Sequence, residues 1–304
     1  MPRSGPFIPG LPSGLTGYFH RDSFDFLDRA YVVDWAISSL MWFAGWMIKS
    51  LPPFERDFST KDPLIDHKHR PNQISGDFTW TVAFVVPVAI TVVVGLLRRS
   101  AHEVHHSLLA LYSGRGLCAL VTEALKNRVG RLRPDFLDRC KWDKALKACS
   151  GKVEAVIDGR RSFPSGHSST AFAGMTFLSL WLAGITGAWC LSQPVPGGSF
   201  LGSKLARLTL SLLPLAFATW VAISRVEDYR HHKEDVIVGS LIGIASATIC
   251  YLIYWPNPFS YQPHTARVVY GAPAADPART RRPNPELYGY ELTGVENEHA
   301  EQSV

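Results

Sequence analysis

The sequence predicts an all-α membrane protein, a bundle of six transmembrane helices. Nearly half of its 304 residues are hydrophobic, 46% in all, and they are concentrated in six long runs with few charges. About twenty apolar residues are needed to span the hydrocarbon core of a bilayer, and each run is long enough. The alternative for these runs is a soluble helical enzyme with buried helices.

The predicted spans are, in order, Tyr31 to Leu51, Phe78 to Leu97, Ser107 to Leu125, Ser168 to Leu191, Leu205 to Ser224 and Val236 to Trp255. Pro87 in the second is compatible with a membrane helix because neighbouring helices and side chains can satisfy the freed backbone groups. The third contains Arg115, which we expect to face the bundle interior or a water-filled cavity, as intramembrane charges normally do.

The two ends of the chain differ from the spans in composition. Residues 1–15 are rich in Gly and Pro and lack a secretory signal pattern, so the first span would act as an uncleaved membrane signal. The polar, Pro-rich C-terminus is typical of disorder. We therefore expect an N-terminal tail at 1–30, a six-span membrane domain at 31–259 and a disordered tail at 260–304.

Three short stretches beside predicted spans contain the residue types that a metal-free phosphate hydrolase needs. They are Lys126 to Pro134 (KNRVGRLRP), Pro164 to His167 (PSGH) and Ser224 to Asp235 (SRVEDYRHHKED). Phosphoryl transfer spreads negative charge over three oxygens, which fixed cations stabilise. The candidate cations are Lys126, Arg133 and Arg225. Arginine can donate to two phosphate oxygens at once, whereas lysine acts as a point charge.

The second and third stretches predict an anion-binding turn and a nucleophile. An apolar run follows His167, so backbone N–H groups around Ser165 and Gly166 would open a helix, and such helix N-termini bind anions. His231 and Asp235, four residues apart, share one face of a helix. The carboxylate can hold one imidazole nitrogen and leave the other free to attack.

Other residues of these stretches have secondary roles in this interpretation. We expect His167 to protonate the leaving oxygen, because the ordinary pKa of histidine is nearest neutrality. His232 is expected to lie at the surface, and Arg128 and Arg131 to add positive field without touching substrate. Taken singly, each stretch is more typical of a turn, a basic juxtamembrane cluster or a solvated ion pair; their combination and order favour a functional site.

Together the stretches resemble the type 2 phosphatidic acid phosphatase family, also called lipid phosphate phosphatases. The family signatures read lysine, six residues, arginine-proline; proline-serine-glycine-histidine; and serine-arginine, five residues, histidine, three residues, aspartate. Each residue and spacing is met. The stretch Pro53 to Leu64 (PFERDFSTKDPL) and the run after Asp235 are also similar to the fungal diacylglycerol pyrophosphate phosphatase branch. The resemblance covers most of the chain, excluding both tails.

The resemblance implies a membrane hydrolase of phosphatidate, lysophosphatidate and diacylglycerol pyrophosphate, acting through a phosphohistidine without Mg²⁺. Its core would be like that of the vanadium-dependent haloperoxidases. The roles carry over to Lys126, Arg133, Ser165, Gly166 and Arg225 as phosphate ligands, His167 as general acid, and His231 as the nucleophile oriented by Asp235. The sequence shows neither a Gly-rich nucleotide loop nor a cysteine-histidine metal cluster, so we expect no metal and no cofactor.

Several functions stay open at this point. The motifs bind phosphate but do not select the tail, so isoprenoid, sphingoid and sugar phosphates remain alternative substrates. The six spans argue against a haloperoxidase. The complete set of catalytic residues argues against a nonhydrolytic lipid-binding or transport protein. The phosphate site and membrane flanks account for the net charge of +5, so no nucleic-acid partner is expected. Homo-oligomerisation is undecided.

The number of spans places the catalytic stretches on one membrane face, because an odd number of crossings precedes both catalytic loops. By charge alone the basic loop from Lys126 to His167 would be cytoplasmic, but many of its charges are proposed ligands. The resemblance implies a lumenal or extracellular site, in a vacuolar, endoplasmic reticulum, Golgi or plasma membrane. Cys140 and Cys149 could pair in that oxidising compartment or remain free thiols.

Overall fold

The structure, a computed structural model, describes residues 28–190, 202–260 and 264–270. Most of both predicted tails lies outside these residues. The described elements, in chain order, are α1 (Arg29–Ser50), a 3-10 turn (Pro63–Ile65), α2 (Gly76–Leu97), α3 (Ala101–Val129), α4 (Phe136–Cys140), β1 (Trp142–Asp143), β2 (Ala148–Cys149), α5 (Val153–Gly159), α6 (Gly166–Thr186), α7 (Lys204–Glu227) and α8 (Lys233–Tyr254).

The six predicted spans are confirmed as helices, although α6 ends at Thr186, before the predicted end of the fourth span at Leu191, which lies outside the described residues. Helices α1, α2, α3, α6, α7 and α8 are each long and apolar enough to cross a membrane. Helix α3, with 29 residues, extends beyond the predicted third span at both ends. Serine or aspartate side chains cap the starts of five of these helices, at Asp28, Ser75, Ser100, Ser165 and Ser203. Each cap satisfies a backbone N–H that the helix itself leaves unpaired.

Helix α6 lies at the centre of the bundle and packs against α2, α3, α7 and α8. Gly174 lets α2 approach closely, because a Cβ at this position would overlap the carbonyl oxygen of Ala83. Arg115 of α3 is buried and donates a hydrogen bond to the carbonyl of Thr170 at 3.0 Å, so it faces the bundle interior as predicted. Large apolar side chains such as Val32 and Leu97 are exposed on the outer helix faces, as expected for contact with lipid.

The loops that follow α1, α3 and α7 lie at one end of the bundle and contact each other. The backbone N–H of His67, in the α1–α2 loop, donates to the carbonyl of Pro134 at 2.9 Å. In the loop after α3, a disulfide joins Cys140 to Cys149 beside the buried Phe136. The pairing that the sequence left open is therefore present, and it closes the β1–β2 hairpin.

Residues 264–269 lie at the opposite end of the bundle. The ring of His264 stacks on Trp255 with centroids 5.0 Å apart, and the N–H of Arg267 donates to the carbonyl of Tyr254 at 2.8 Å.

Candidate active site

The three sequence stretches meet at the end of the bundle that carries the α1–α2 loop. The backbone N–H of Ser162 donates to the carbonyl of Arg131, and that of Ser165 donates to the carbonyl of Asp235, both at 2.9 Å. These bonds tie the start of α6 to the residues after α3 on one side and to the start of α8 on the other. The candidate site is therefore built from all three stretches.

Arg225 lies near the end of α7 and is fully buried. Its Nη2 donates to Oδ2 of Asp228 at 2.9 Å, and its Nη1 donates to Oδ1 of Asn72 at 3.2 Å. A buried charge requires such partners, and they also fix the plane of the guanidinium. The cation is thus held in place before any ligand arrives.

Arg133 is fixed in a similar way by Asp158 of α5. Its Nη2 donates to Oδ1 of Asp158 and its Nε donates to the Asp158 carbonyl, both at 2.8 Å. Arg139 donates to the other carboxylate oxygen at 2.7 Å. Burial alone would raise the pKa of Asp158, but Arg133 and Arg139 outweigh it and lower that pKa to about 2. Asp158 therefore remains a carboxylate at neutral pH.

Lys126 approaches the start of α6, where Ser165 is the cap and Gly166 the first helical residue. A Cβ on Gly166 would lie 2.9 Å from Nζ of Lys126, so the absence of a side chain makes room for the ammonium. The ammonium and the unpaired N–H groups of the first helical turn thus lie together, as anion binding requires.

His167 follows Gly166 in the first turn of α6. Its Nε2 is buried and has no hydrogen-bond partner among the described residues. Buried polar atoms are normally paired, so this nitrogen is available to a ligand.

His231 lies in the turn between α7 and α8, and Asp235 lies in the first turn of α8. The distance from Nδ1 of His231 to Oδ2 of Asp235 is 3.9 Å, longer than a hydrogen bond. The carboxylate instead accepts from Ser162 Oγ at 2.6 Å and from Nη1 of Arg131 at 2.7 Å. Ser162 was not among the predicted site residues, and Arg131, expected only to add positive field, contacts the aspartate directly.

His232 also departs from the prediction of a surface position. Only 14% of its side chain is exposed, and its Nδ1 lies 3.3 Å from Oδ2 of Asp235. The expectation assumed that His232 continues a helix from His231. It is instead the residue before α8, and its backbone N–H donates to the same oxygen of Asp235 at 3.1 Å.

Electrostatics favour a neutral imidazole at His231. Burial, together with the positive charge of Arg133, lowers the pKa of His231 to about 3, although Asp235 acts in the opposite direction. At physiological pH the ring therefore carries a free lone pair, which is the form that can act as a nucleophile.

Sequence reasoning missed the contribution of the α1–α2 loop. Asn72 contacts Arg225, the side chain of Gln73 donates to Asp228 at 2.9 Å, and Nδ1 of His69 lies 2.6 Å from Asp135. A signal was available in the polar stretch DHKHRPNQ, residues 66–73, which directly precedes the second span. One span precedes that stretch, which is again an odd number, so the stretch lies on the same membrane face as the loops after the third and fifth spans.

The sequence profile described as the PAP2 superfamily matches residues 107–259, a region that contains all three stretches. The chain belongs to the PAP2 superfamily. It is 36% identical over 242 residues to "Lipid phosphate phosphatase 2" of Arabidopsis thaliana, covering 76% of this chain and 79% of that protein. It is 34% identical over 229 residues to "Diacylglycerol pyrophosphate phosphatase 1" of Saccharomyces cerevisiae, covering 69% and 76%.

A third similar protein is "Probable diacylglycerol pyrophosphate phosphatase 1" of Schizosaccharomyces pombe, 34% identical over 236 residues, with 72% of this chain and 77% of that protein covered. No solved structure gives a significant match. With six apolar helices and these relatives, this PAP2 protein is an integral, multi-pass membrane protein.

Proposed function

We propose that this PAP2 protein is a lipid phosphate phosphatase that hydrolyses phosphatidate, lysophosphatidate and diacylglycerol pyrophosphate. The observation that carries the proposal is the convergence of the neutral His231 with the fixed cations Arg133 and Arg225 and with the start of α6. The names of the similar proteins supply the substrate class.

In the first step the lipid phosphate enters between the cations and the start of α6. Lys126, Arg133 and Arg225 neutralise its charge. The backbone N–H of Gly166 and the hydroxyl of Ser165 bind its oxygens, because the backbone N–H of Ser165 already donates to the carbonyl of Asp235. The two arginines are held beforehand by Asp158 and Asp228, so little reorganisation is needed when negative charge develops in the transition state.

The chemistry then proceeds through a covalent intermediate. Nε2 of His231 attacks phosphorus, the bond from phosphorus to the leaving oxygen breaks, and His167 donates a proton to that oxygen. A phosphohistidine and the dephosphorylated lipid result. His167 next takes a proton from water, whose oxygen attacks phosphorus while the bond from phosphorus to Nε2 of His231 breaks. Inorganic phosphate is released, and both histidines return to their starting states.

Fixed cations neutralise the charge of the phosphate, as a metal ion does in many phosphatases. We therefore propose that the protein is active without Mg²⁺. We also propose that residues 31–259 form the catalytic domain and that its active site faces a lumenal or extracellular compartment. The disulfide between Cys140 and Cys149 supports this side of the membrane, because disulfides persist mainly in oxidising compartments.

The decisive experiment measures phosphate release in mixed micelles with excess chelator. Phosphatidate, diacylglycerol pyrophosphate, a sphingoid phosphate and an isoprenoid pyrophosphate are compared for the native protein, His231→Ala and the control His264→Ala, which lies at the opposite end of the bundle. We expect release by the native protein and the control, and none by His231→Ala.

Three results would contradict parts of the proposal. Equal release by His231→Ala would exclude this nucleophile. Preference for the sphingoid or isoprenoid substrate would change the substrate class. Loss of native activity in chelator, restored by added metal, would contradict the metal-free mechanism.

A further inference from the structure

We propose that Ser162 is a positioning residue for the nucleophile: its hydroxyl links His231 to Asp235 and holds the imidazole with Nε2 free to attack. This inference rests on the proposed phosphatase function and adds a residue outside the three sequence signatures.

The distances around Ser162 support an indirect link between the histidine and the aspartate. Ser162 is fully buried, and its Oγ lies 2.6 Å from Oδ2 of Asp235 and 3.5 Å from Nδ1 of His231. The direct distance from Nδ1 to Oδ2 is 3.9 Å. A hydroxyl has one proton to donate and two lone pairs that accept. Ser162 can therefore donate to Asp235 and accept the N–H at Nδ1 of His231.

The carboxylate of Asp235 is held away from the imidazole by other donors. Arg131 occupies Oδ1 at 2.7 Å, and the backbone N–H of His232 reaches Oδ2 at 3.1 Å. Turning the carboxylate towards His231 would lengthen these bonds. The structure thus gives Asp235 the role of fixing Ser162, and Ser162 the role of contacting the histidine.

Ser162 and the residue before it are both held in place by hydrogen bonds. Its backbone N–H donates to the carbonyl of Arg131 at 2.9 Å. The preceding Arg161 donates to Oε2 of Glu123 at 2.6 Å and to the carbonyl of Lys49 at 2.8 Å. The segment that enters α6 is therefore tied to α1 and α3, and the hydroxyl has a defined position.

The arrangement has a chemical consequence for the attack step. By accepting a hydrogen bond from the N–H at Nδ1, Ser162 selects the tautomer whose lone pair is on Nε2. When Nε2 bonds to phosphorus, the imidazole gains positive charge, and the hydroxyl conveys the stabilising effect of Asp235 without moving a proton. The serine lowers the barrier through orientation and makes no contact with phosphate.

The test separates the rate of attack from phosphate binding. For Ser162→Ala, we expect kcat with phosphatidate to fall about 10²-fold, the size expected for a misplaced reacting group. A rapid-quench measurement should show phosphoenzyme formation slowed by the same factor. KM and the inhibition constant of inorganic phosphate should be unchanged. Ser162→Thr, which keeps the hydroxyl, should recover most of the rate.

The control is Ser179→Ala. Ser179 is also fully buried and donates one hydrogen bond, to the carbonyl of Ser211 at 2.6 Å, but it lies within α6 away from the site. We expect native kcat from this variant. If Ser162→Ala does not fold, Ser162→Cys replaces it, because a thiol of similar shape is only a weak hydrogen-bond partner; slow phosphoenzyme formation is again expected.

The outcomes distinguish this inference from the proposed function. The phosphohistidine mechanism requires a phosphoenzyme that forms in the native protein and is absent from His231→Ala. If no such phosphoenzyme is found, this mechanism is wrong, and the role proposed for Ser162 is wrong with it. If the native phosphoenzyme forms and the Ser162 variants form it at the native rate, only the positioning role is overturned. If Ser162→Ala loses inhibition by inorganic phosphate together with the rate of phosphoenzyme formation, the substitution disturbs the structure of the site. That result would also overturn the positioning role.

Discussion

Arg131 donates a hydrogen bond from Nη1 to Oδ1 of Asp235 across 2.7 Å, and the aspartate is fully buried. The same guanidinium reaches Oε2 of the exposed Glu234 at 3.0 Å. Arg131 lies in the first stretch, between the proposed ligands Lys126 and Arg133, yet its contact is with Asp235, which supports the proposed nucleophile. The first stretch thus contributes both to the proposed phosphate site and to the support of the proposed nucleophile.

Replacing Arg131 should therefore impair catalysis through Asp235. In Arg131→Ala a buried carboxylate loses its cationic partner, a change that costs about 3 to 5 kcal/mol in buried pairs and less here because Arg131 is partly exposed. We expect a lower melting temperature and a kcat reduced about 10-fold or more. Arg128→Ala, an exposed arginine of the same stretch, is the matched control and should behave like the native protein. Equal effects of the two substitutions would show that only the summed positive charge matters.

The pKa of His231 predicts how stability depends on pH. The folded protein keeps this histidine neutral down to about pH 3, whereas the unfolded chain protonates it near the ordinary value of 6.5. The unfolded state therefore binds more protons between these values, and the free energy of unfolding falls as the pH decreases from 6.5. The slope is roughly 1.4 kcal/mol per pH unit for this group.

His231→Asn removes this contribution. Melting temperatures in detergent at pH 7.5 and pH 5.0 should fall more on acidification for the native protein than for the variant, while the other titrating groups affect both alike. An identical shift in the two proteins would show that His231 is not held neutral by its surroundings.

The parts of the site that the sequence predicted are those defined by local spacing. Helix periods and apolar runs locate the six spans, and the start of α6 follows from the PSGH turn and the apolar residues after it. The third span was predicted too short because His102, Glu103 and His106 make the first turns of α3 polar, although all three are buried in the bundle. Hydropathy cannot distinguish buried polar residues from exposed ones.

The parts that the sequence did not predict depend on distant pairs. Asn72 reaches Arg225 from a position 153 residues earlier in the chain, and Ser162 reaches Asp235 across 73 residues. Neither contact follows from a helical period or a turn preference. Such pairs are determined only when the loops after α1, α3 and α7 are packed together, and the sequence pattern alone does not contain that packing.

Gly166→Ala tests whether Lys126 acts at the start of α6. The added Cβ would lie 2.9 Å from Nζ of Lys126 and displace the ammonium, whereas alanine is well suited to a helical position. We expect a folded protein with weaker inhibition by inorganic phosphate and a kcat reduced about 10²-fold, since a displaced cation no longer stabilises the transition state. Gly45→Ala in α1, where the nearest atoms are 3.4 Å away, is the control. Native phosphate inhibition in Gly166→Ala would contradict a role for Lys126 in phosphate binding.

The disulfide between Cys140 and Cys149 provides a test of both stability and membrane orientation. It closes the hairpin beside Phe136, so replacing both cysteines with serine should lower the free energy of unfolding by about 3 kcal/mol or less, the size expected for a short closed loop. Cys250→Ala, a free buried cysteine, is the control.

In sealed vesicles of known sidedness, a membrane-impermeant reductant should lower the melting temperature of the native protein only when the lumenal or extracellular face is outside. The same loss with the cytosolic face outside would place the catalytic loop in the cytosol and overturn the proposed orientation.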